Sequence, residues 1–221
     1  MGPLHLKLVL THGNMTIYSY LEMQSTKYKE KPFLQFEDQV ISYEEMFRKA
    51  NQTATWLEKE GIIKGDIVTV MIKNCPSFYD IWFACAALGA VLLPVNTAST
   101  ASELKYFLEH SESKGIIFDR DLITNNHEKV MLECNLLFTQ ALSNDWLKDV
   151  NNKSDEKHEK EVQASDVAGI MYTSGTTAKP KGVLITHENY LYAGHSSVLY
   201  QQLTPEDKYL IFLPLFHANS Q

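Results

Sequence analysis

Thr173-Ser174-Gly175-Thr176-Thr177-Ala178-Lys179-Pro180-Lys181-Gly182 is the stretch on which the reading of this chain turns. Gly175 and Gly182 let the backbone turn tightly and approach a ligand. Successive amides in such a turn form a nest for anionic oxygens. Ser174, Thr176 and Thr177 add hydroxyl donors, and Lys179 and Lys181 add point charges suited to phosphate. The loop is flanked by Val167-Ala168-Gly169-Ile170-Met171-Tyr172 and Val183-Leu184-Ile185-Thr186, two short apolar runs rich in strand formers. It therefore joins strand to strand, and its phosphate affinity must come from amides and side chains rather than from a helix dipole. A Walker loop is excluded, because Lys179 is followed by Pro180 where that pattern needs Gly-Lys-Ser/Thr. On composition alone the bland alternative is a polar hairpin loop punctuated by Gly and Pro.

Upstream of the loop, helices and strands alternate as in a parallel or mixed α/β sheet. Ser42-x-x-Glu45 reads as a capping box. It opens a helix with apolar residues Met46, Phe47, Ala50, Ala54 and Leu57 at helical spacing, ended by Gly61. Ile67 to Ile72 is a nearly continuous apolar strand suited to burial on both faces. A helix is predicted from Ser77 to Leu88, stopped by Gly89, then a strand from Val91 to Leu93. Thr100-x-x-Glu103 caps a helix to about Glu109, and a strand follows from Gly115 to Phe118. Weaker signals place a helix over 126–134 and a strand over 136–139. Beyond the loop, a helix is expected from Glu188 to Gln202 and a strand from Tyr209 to Leu213. The rhythm is Rossmann-like, but no Gly-x-Gly-x-x-Gly opens any of these helices.

The 221 residues are 44% hydrophobic and 21% charged, an ordinary balance with length enough for a sizeable core. A net charge of -7 argues against nucleic-acid or anionic-membrane partners and makes the basic loop stand out locally. Cys75, Cys85 and Cys134 are odd in number and widely spaced, so they fit neither a disulfide framework nor a zinc site and read as reduced thiols. Leu4 to Leu10 is too short and too interrupted for a signal core, and the longest apolar run, Ile81 to Val95, contains Gly89 and Pro94. The expectation is a cytoplasmic protein with no transmembrane segment.

Asn151 to Glu161 contains no apolar residue and reads as a mobile charged loop. It divides an α/β part at 1–150 from the loop-bearing segment at 163–221 of the same domain, with 151–162 as the connector. His187-Glu188 begins like a zinc helix, but Leu191 stands where a second His is required, which leaves His187 as a helix cap. Phe78, Tyr79, Trp82 and Phe83 form an aromatic cluster better suited to core packing than to a binding surface.

Tyr172 to Gly182 resembles the phosphate-loop signature of the adenylate-forming superfamily of acyl-CoA synthetases, luciferases and peptide-synthetase adenylation domains. Ile41-Ser42-Tyr43-Glu44-Glu45 is similar to its early Ser/Thr-Tyr-x-Glu motif. Ala86 to Asn96 resembles its Gly-Ala-x-x-x-Pro-Asn/Asp segment, and Pro214-Leu215-Phe216-His217 its Pro-Leu-Phe-His motif. The chain departs at Ala178, where the family usually has Gly; an alanine restricts the loop there if a positive φ is needed. The resemblance implies an acyl-CoA synthetase-like α/β fold and a ligase that activates a carboxylic acid with ATP, Mg2+ and coenzyme A. It assigns Thr173, Ser174, Gly175, Thr176, Thr177, Lys179, Lys181 and Gly182 to the phosphates. Thr176 is also assigned to magnesium, and Lys181 and His217 to catalysis.

The chain stops inside the Pro-Leu-Phe-His motif, so the resemblance further implies an N-terminal fragment, inactive alone. The adenine-binding segment, the magnesium Glu, the ribose Asp and the C-terminal catalytic Lys would all follow it. Within the superfamily, the short charged connector and the Pro-Leu-Phe-His-Ala-Asn ending look most like small-acid ligases of the crotonobetaine/carnitine-CoA ligase branch. The alternatives are an amino-acid-activating adenylation domain and a short non-catalytic protein that binds a phosphate-rich ligand. The last would bury its apolar face, in a homodimer for example, where a fragment would expose it.

Overall fold

The computed structural model describes residues 13–173 and 179–217. Thr16 opens α1 (Ile17–Tyr28) through a reciprocal cap with Ser19. An antiparallel hairpin of β1 (Pro32–Phe36) and β2 (Gln39–Ser42) leads into α2 (Tyr43–Lys59), where Ser42 Oγ accepts from the Glu45 N–H at 3.1 Å. Then come β3 (Ile67–Met71), α3 (Ser77–Leu88), β4 (Val91–Pro94), α4 (Ala101–Ser111), β5 (Gly115–Asp119) and α5 (Asn125–Glu133). The chain continues through β6 (Phe138–Leu142), α6 (Asn144–Asn151), β7 (Val167–Thr173), β8 (Lys181–Thr186) and α7 (His187–Gln201). Gly89 ends α3 at φ 69°, a left-handed position that glycine occupies without strain.

The strands from β3 to β8 form one sheet in the order β6-β5-β3-β4-β7-β8. Its pairings are parallel as far as β7, and β8 adds an antiparallel edge. Successive side chains alternate between faces. Val68, Val70, Leu92 and Ile117 face a layer made by α1, α2, α3 and α6, against which Tyr190 and Leu191 of α7 also pack. Met71, Leu93, Ile116 and Phe118 face α4 and α5. The crossover from β3 to β4 runs through α3 on one face. The next, from β4 to β5, runs through α4 on the other and returns to the far side of β3. The two connections thus diverge between the carboxyl ends of β3 and β4, the place where doubly wound sheets open a ligand crevice.

The sheet and most of its helices follow the sequence expectation; α1 and the β1–β2 hairpin carried no sequence expectation, and four further points differ. The strand expected at 136–139 lies at Phe138–Leu142, because the Phe138 ring covers Gly115 opposite it: a Cβ on Gly115 would lie 2.1 Å from that ring. The stretch 209–213 forms no sheet pairing among the described residues. A strand exists only by pairing, and this segment is fastened through a side chain instead. The helix α6 was unannounced; it is built on two buried residues, Trp146 and Val150, with Trp146 edge-on to Trp56 at 5.5 Å. Finally, Thr186 rather than His187 caps α7, accepting from the Asn189 N–H at 3.2 Å.

The polar stretch 151–161, read as a mobile connector, lies along α1 and α2. The buried Gln52 amide donates to the Asn151 carbonyl at 2.7 Å, Thr55 Oγ1 to the Ser154 carbonyl at 2.9 Å, and Lys64 Nζ to the Glu161 carbonyl at 2.8 Å. Lys157–Glu22 and Lys160–Glu58 ion pairs at 2.7 and 2.6 Å add little, being surface pairs.

Candidate functional site

The loop of interest closes the β7–β8 hairpin, so it does join strand to strand. Thr173 faces Lys181 across the ladder and Tyr172 faces Gly182. Gly182 has no room for a side chain without movement: a Cβ there would sit 3.1 Å from Ile170 Cγ2. Thr173, Lys179, Lys181 and Gly182 are exposed. Ser174, Gly175, Thr176, Thr177 and Ala178 lie outside the described residues. Among the described residues no carboxylate pairs with Lys179 or Lys181. Two unneutralised cations therefore stand at the mouth of a hydroxyl-rich loop in an acidic protein, a charge arrangement that fits a polyphosphate.

Both shoulders of the loop are buttressed by α4, which sequence reading did not single out. Tyr106 donates its hydroxyl to the Pro180 carbonyl at 2.8 Å, and its ring lies 5.3 Å beneath Lys179 Nζ. His110 Nδ1 meets the Tyr172 hydroxyl at 2.6 Å, and Phe107 packs on the Tyr172 ring at 4.8 Å. Burial, reinforced by Tyr106, pushes the Tyr172 hydroxyl up to about 12, so it keeps its proton and can donate it to His110. Tyr106 and His110 share one face of α4 at i and i+4. Their i, i+4 spacing was the available signal, but the loop lies more than 60 residues away in sequence and only the tertiary fold brings this face to it.

The Pro214 to His217 segment reaches the same edge of the sheet. His217 N–H closes a turn onto the Pro214 carbonyl at 3.0 Å, and the Phe216 and His217 rings lie 4.4 Å apart. Asn74, just past the end of β3, donates to the Leu213 carbonyl and accepts from the Leu215 N–H, each at 2.9 Å. Leu215 is buried and His217 exposed. β3 and β7 are separated only by β4, so at a strand spacing of about 4.8 Å their carboxyl ends stand roughly 10 Å apart. The segment bearing His217 and the hairpin bearing Lys181 thus both lie beyond the carboxyl ends of strands two places apart in the sheet.

His187 and Asp80 are buried ionisable groups outside this cluster. His187 is wholly buried, with the Ile17 N–H directed at Nδ1 over 3.5 Å; burial drops its imidazole to about 4. Asp80, in the first turn of α3, is raised by burial to about 6, against the pull of Lys49. Burial also lifts the Cys75 and Cys85 thiols, to about 11 and about 12, and all three cysteines are free. No group of three or more His, Cys, Asp or Glu poised for a metal occurs among the described residues. Thr176, the residue assigned to magnesium, lies outside them.

A doubly wound sheet with this crevice and hairpin is the acyl-CoA synthetase-like α/β fold. Solved structures share it. The chain superposes on o-succinylbenzoate CoA synthetase (MenE) from Bacillus subtilis with a TM-score of 0.77 and 29% identity, covering 92% of this chain and 51% of that one. On apo MatB from Rhodopseudomonas palustris the TM-score is 0.84 at 25% identity, over 94% of this chain and 42% of that one. Residues 21–221 match the AMP-binding enzyme family, and the chain belongs to it. Among curated relatives, crotonobetaine/carnitine--CoA ligase of Proteus mirabilis (strain HI4320) is 31% identical over 193 residues. The alignment takes in 82% of this chain and 37% of that relative, so the chain spans little more than a third of its length.

Proposed function

We propose that this chain is the phosphate-loop portion of an AMP-forming acid–thiol ligase. In this reading a carboxylate oxygen attacks the α-phosphorus of ATP, the bond to the bridging oxygen breaks, and pyrophosphate departs with the electron pair. The thiol of coenzyme A then attacks the acyl carbon of the resulting acyl-adenylate, its proton is lost, and AMP leaves. The observation that carries the proposal is the placement of Lys179 and Lys181, exposed and without carboxylate partners among the described residues, on a hairpin at the carboxyl edge of the sheet.

Charge accumulates on the departing pyrophosphate. Donors fixed in advance stabilise that charge more than they stabilise bound ATP. Lys181, with the hydroxyls of Thr173, Ser174, Thr176 and Thr177, serves the β- and γ-phosphates, and Gly175 and Gly182 let the backbone approach them. Lys179, held over Tyr106, draws the nucleotide in electrostatically. Thr176 is the contact for Mg2+, which when bound supplies positive charge to the phosphate oxygens. His217, across the crevice, stands where the acyl group and the adenylate meet. The acid follows from the relatives: a small carboxylic acid, with crotonobetaine or carnitine first.

ATP–pyrophosphate exchange by the enzyme that contains this chain tests the reading, with short acyl, carnitine-like and amino acids as substrates. Exchange stimulated by a short acyl or carnitine-like acid is the expected result. Stimulation by amino acids alone overturns the substrate class, and no exchange with any acid overturns adenylation.

A further inference from the structure

The Pro214 to His217 turn is attached to the sheet in an unusual way. Residues 209–213 have no ladder partner among the described residues, and Pro214 contributes no N–H of its own. The two backbone groups that bracket the proline, the Leu213 carbonyl and the Leu215 N–H, both go to one side chain. Asn74 donates to the first through Nδ2 and accepts from the second through Oδ1, each at 2.9 Å, across 139 and 141 residues of chain. A primary amide is the one kind of side chain that offers a donor and an acceptor in this paired geometry. Asn74 lies three residues past the end of β3. Its neighbour Lys73 is held by a backbone bond to Asp119 Oδ2 at 2.7 Å and a side-chain pair with Asp121.

We propose that Asn74 is a positioning residue for His217: its amide clamps both sides of Pro214 and thereby sets the histidine turn against the carboxyl end of β3. This rests on the ligase reading for what His217 acts on, while the clamp itself stands on geometry alone. Burial of Leu215 beside it supplies a hydrophobic pin, and the amide supplies orientation. Nothing in the ordinary motif pattern points to this asparagine. Its position three residues past a central strand, at the divergence of the two crossovers, is what gives it reach.

The test is amide hydrogen exchange and NMR on the 221-residue chain, comparing Asn74→Asp with Asn74→Ala. The aspartate keeps an acceptor for the Leu215 N–H but has no donor for the Leu213 carbonyl; the alanine has neither. Leu215 protection is expected to survive in Asn74→Asp and to fall roughly tenfold in Asn74→Ala, the worth of one hydrogen bond. The Leu213 carbonyl carbon resonance is expected to move in both. A merely space-filling asparagine would not separate the two variants in this way. Leu215 protection equal in all three proteins, or lost equally in both variants, overturns the proposal. MgATP added to the unsubstituted chain then reads the ligase assumption separately: a shift of the His217 ring resonance that disappears in Asn74→Ala supports positioning. No response of any loop residue to MgATP overturns the phosphate-site reading, and the exchange data still decide the clamp.

Discussion

Acidification should set two buried groups against each other. The His187 imidazole is held at about 4 by burial, with Asp166 opposing and Lys64 assisting, whereas an unfolded chain titrates it near the ordinary 6.5. Below 6.5 the unfolded chain therefore takes up a proton that the folded chain refuses until about 4. Stability from this group is complete above 6.5 and is lost as pH falls through that window, by about 3 kcal/mol in all. Asp80 behaves oppositely. The folded chain keeps its proton up to about 6, and the unfolded chain releases it near 3.8. Its contribution is complete below 3.8 and lost as pH rises to about 6, again by about 3 kcal/mol. Between pH 4 and 6 the two nearly cancel, so the unsubstituted chain conceals both. Urea unfolding followed by tryptophan fluorescence from pH 4 to 7.5 separates them. His187→Gln should gain about 3 kcal/mol relative to the unsubstituted chain as pH drops from 7 to 4. Asp80→Asn should show its greatest relative stability at pH 7 and lose about the same amount on acidification. Differences from the unsubstituted chain that stay flat with pH would refute the reasoning for the group concerned.

Three further outcomes follow from particular contacts. Gly115→Ala should cost about 1–3 kcal/mol in the same unfolding assay, because the new methyl meets the Phe138 ring at 2.1 Å and either the ring or the β5–β6 ladder must shift; an unchanged midpoint would show that the ring yields freely. Tyr106→Phe removes the bond to the Pro180 carbonyl but keeps the ring under Lys179, so hydrogen exchange at 179–182 should quicken several-fold with global stability lower by about 1 kcal/mol. Equal exchange would place the buttress in the ring contacts alone. Ala178→Gly in the complete enzyme should leave ATP use unchanged or improve it, checked as KM for ATP; a large loss would mean that the loop turns without a positive φ at that position.

Much of the layered core was legible because its signals are local. The Thr100–Glu103 box forms both its bonds, with the Glu103 carboxylate accepting from the Thr100 N–H at 2.7 Å, and α3 begins and ends where Ser77 and Gly89 indicate. What sequence reading missed depends on contacts distant along the chain. The register of β6 is set by a ring lying over a glycine on another strand. The absence of pairing at 209–213 could not be read from Tyr209-Leu210-Ile211-Phe212-Leu213, which has the composition of a strand. Of the candidate site, Thr173, Lys179, Lys181, Gly182 and His217 were named from motif residues. Tyr106, His110 and Asn74, which hold those motifs, are single residues on a helix face or at a strand end. Only the crossover pattern brings them to the crevice.

The Thr173–Gly182 hairpin is proposed to bind nucleotide phosphates. Calorimetric titration of the unsubstituted protein and Lys181→Ala with MgATP, and separately with pyrophosphate, tests it most directly. Lys181 is exposed on the edge strand, so its removal should change stability by no more than about 0.5 kcal/mol. The expected result is an affinity for both ligands at least tenfold weaker in Lys181→Ala at unchanged stability. Equal affinity in the two proteins, or a loss confined to a destabilised variant, would contradict the account.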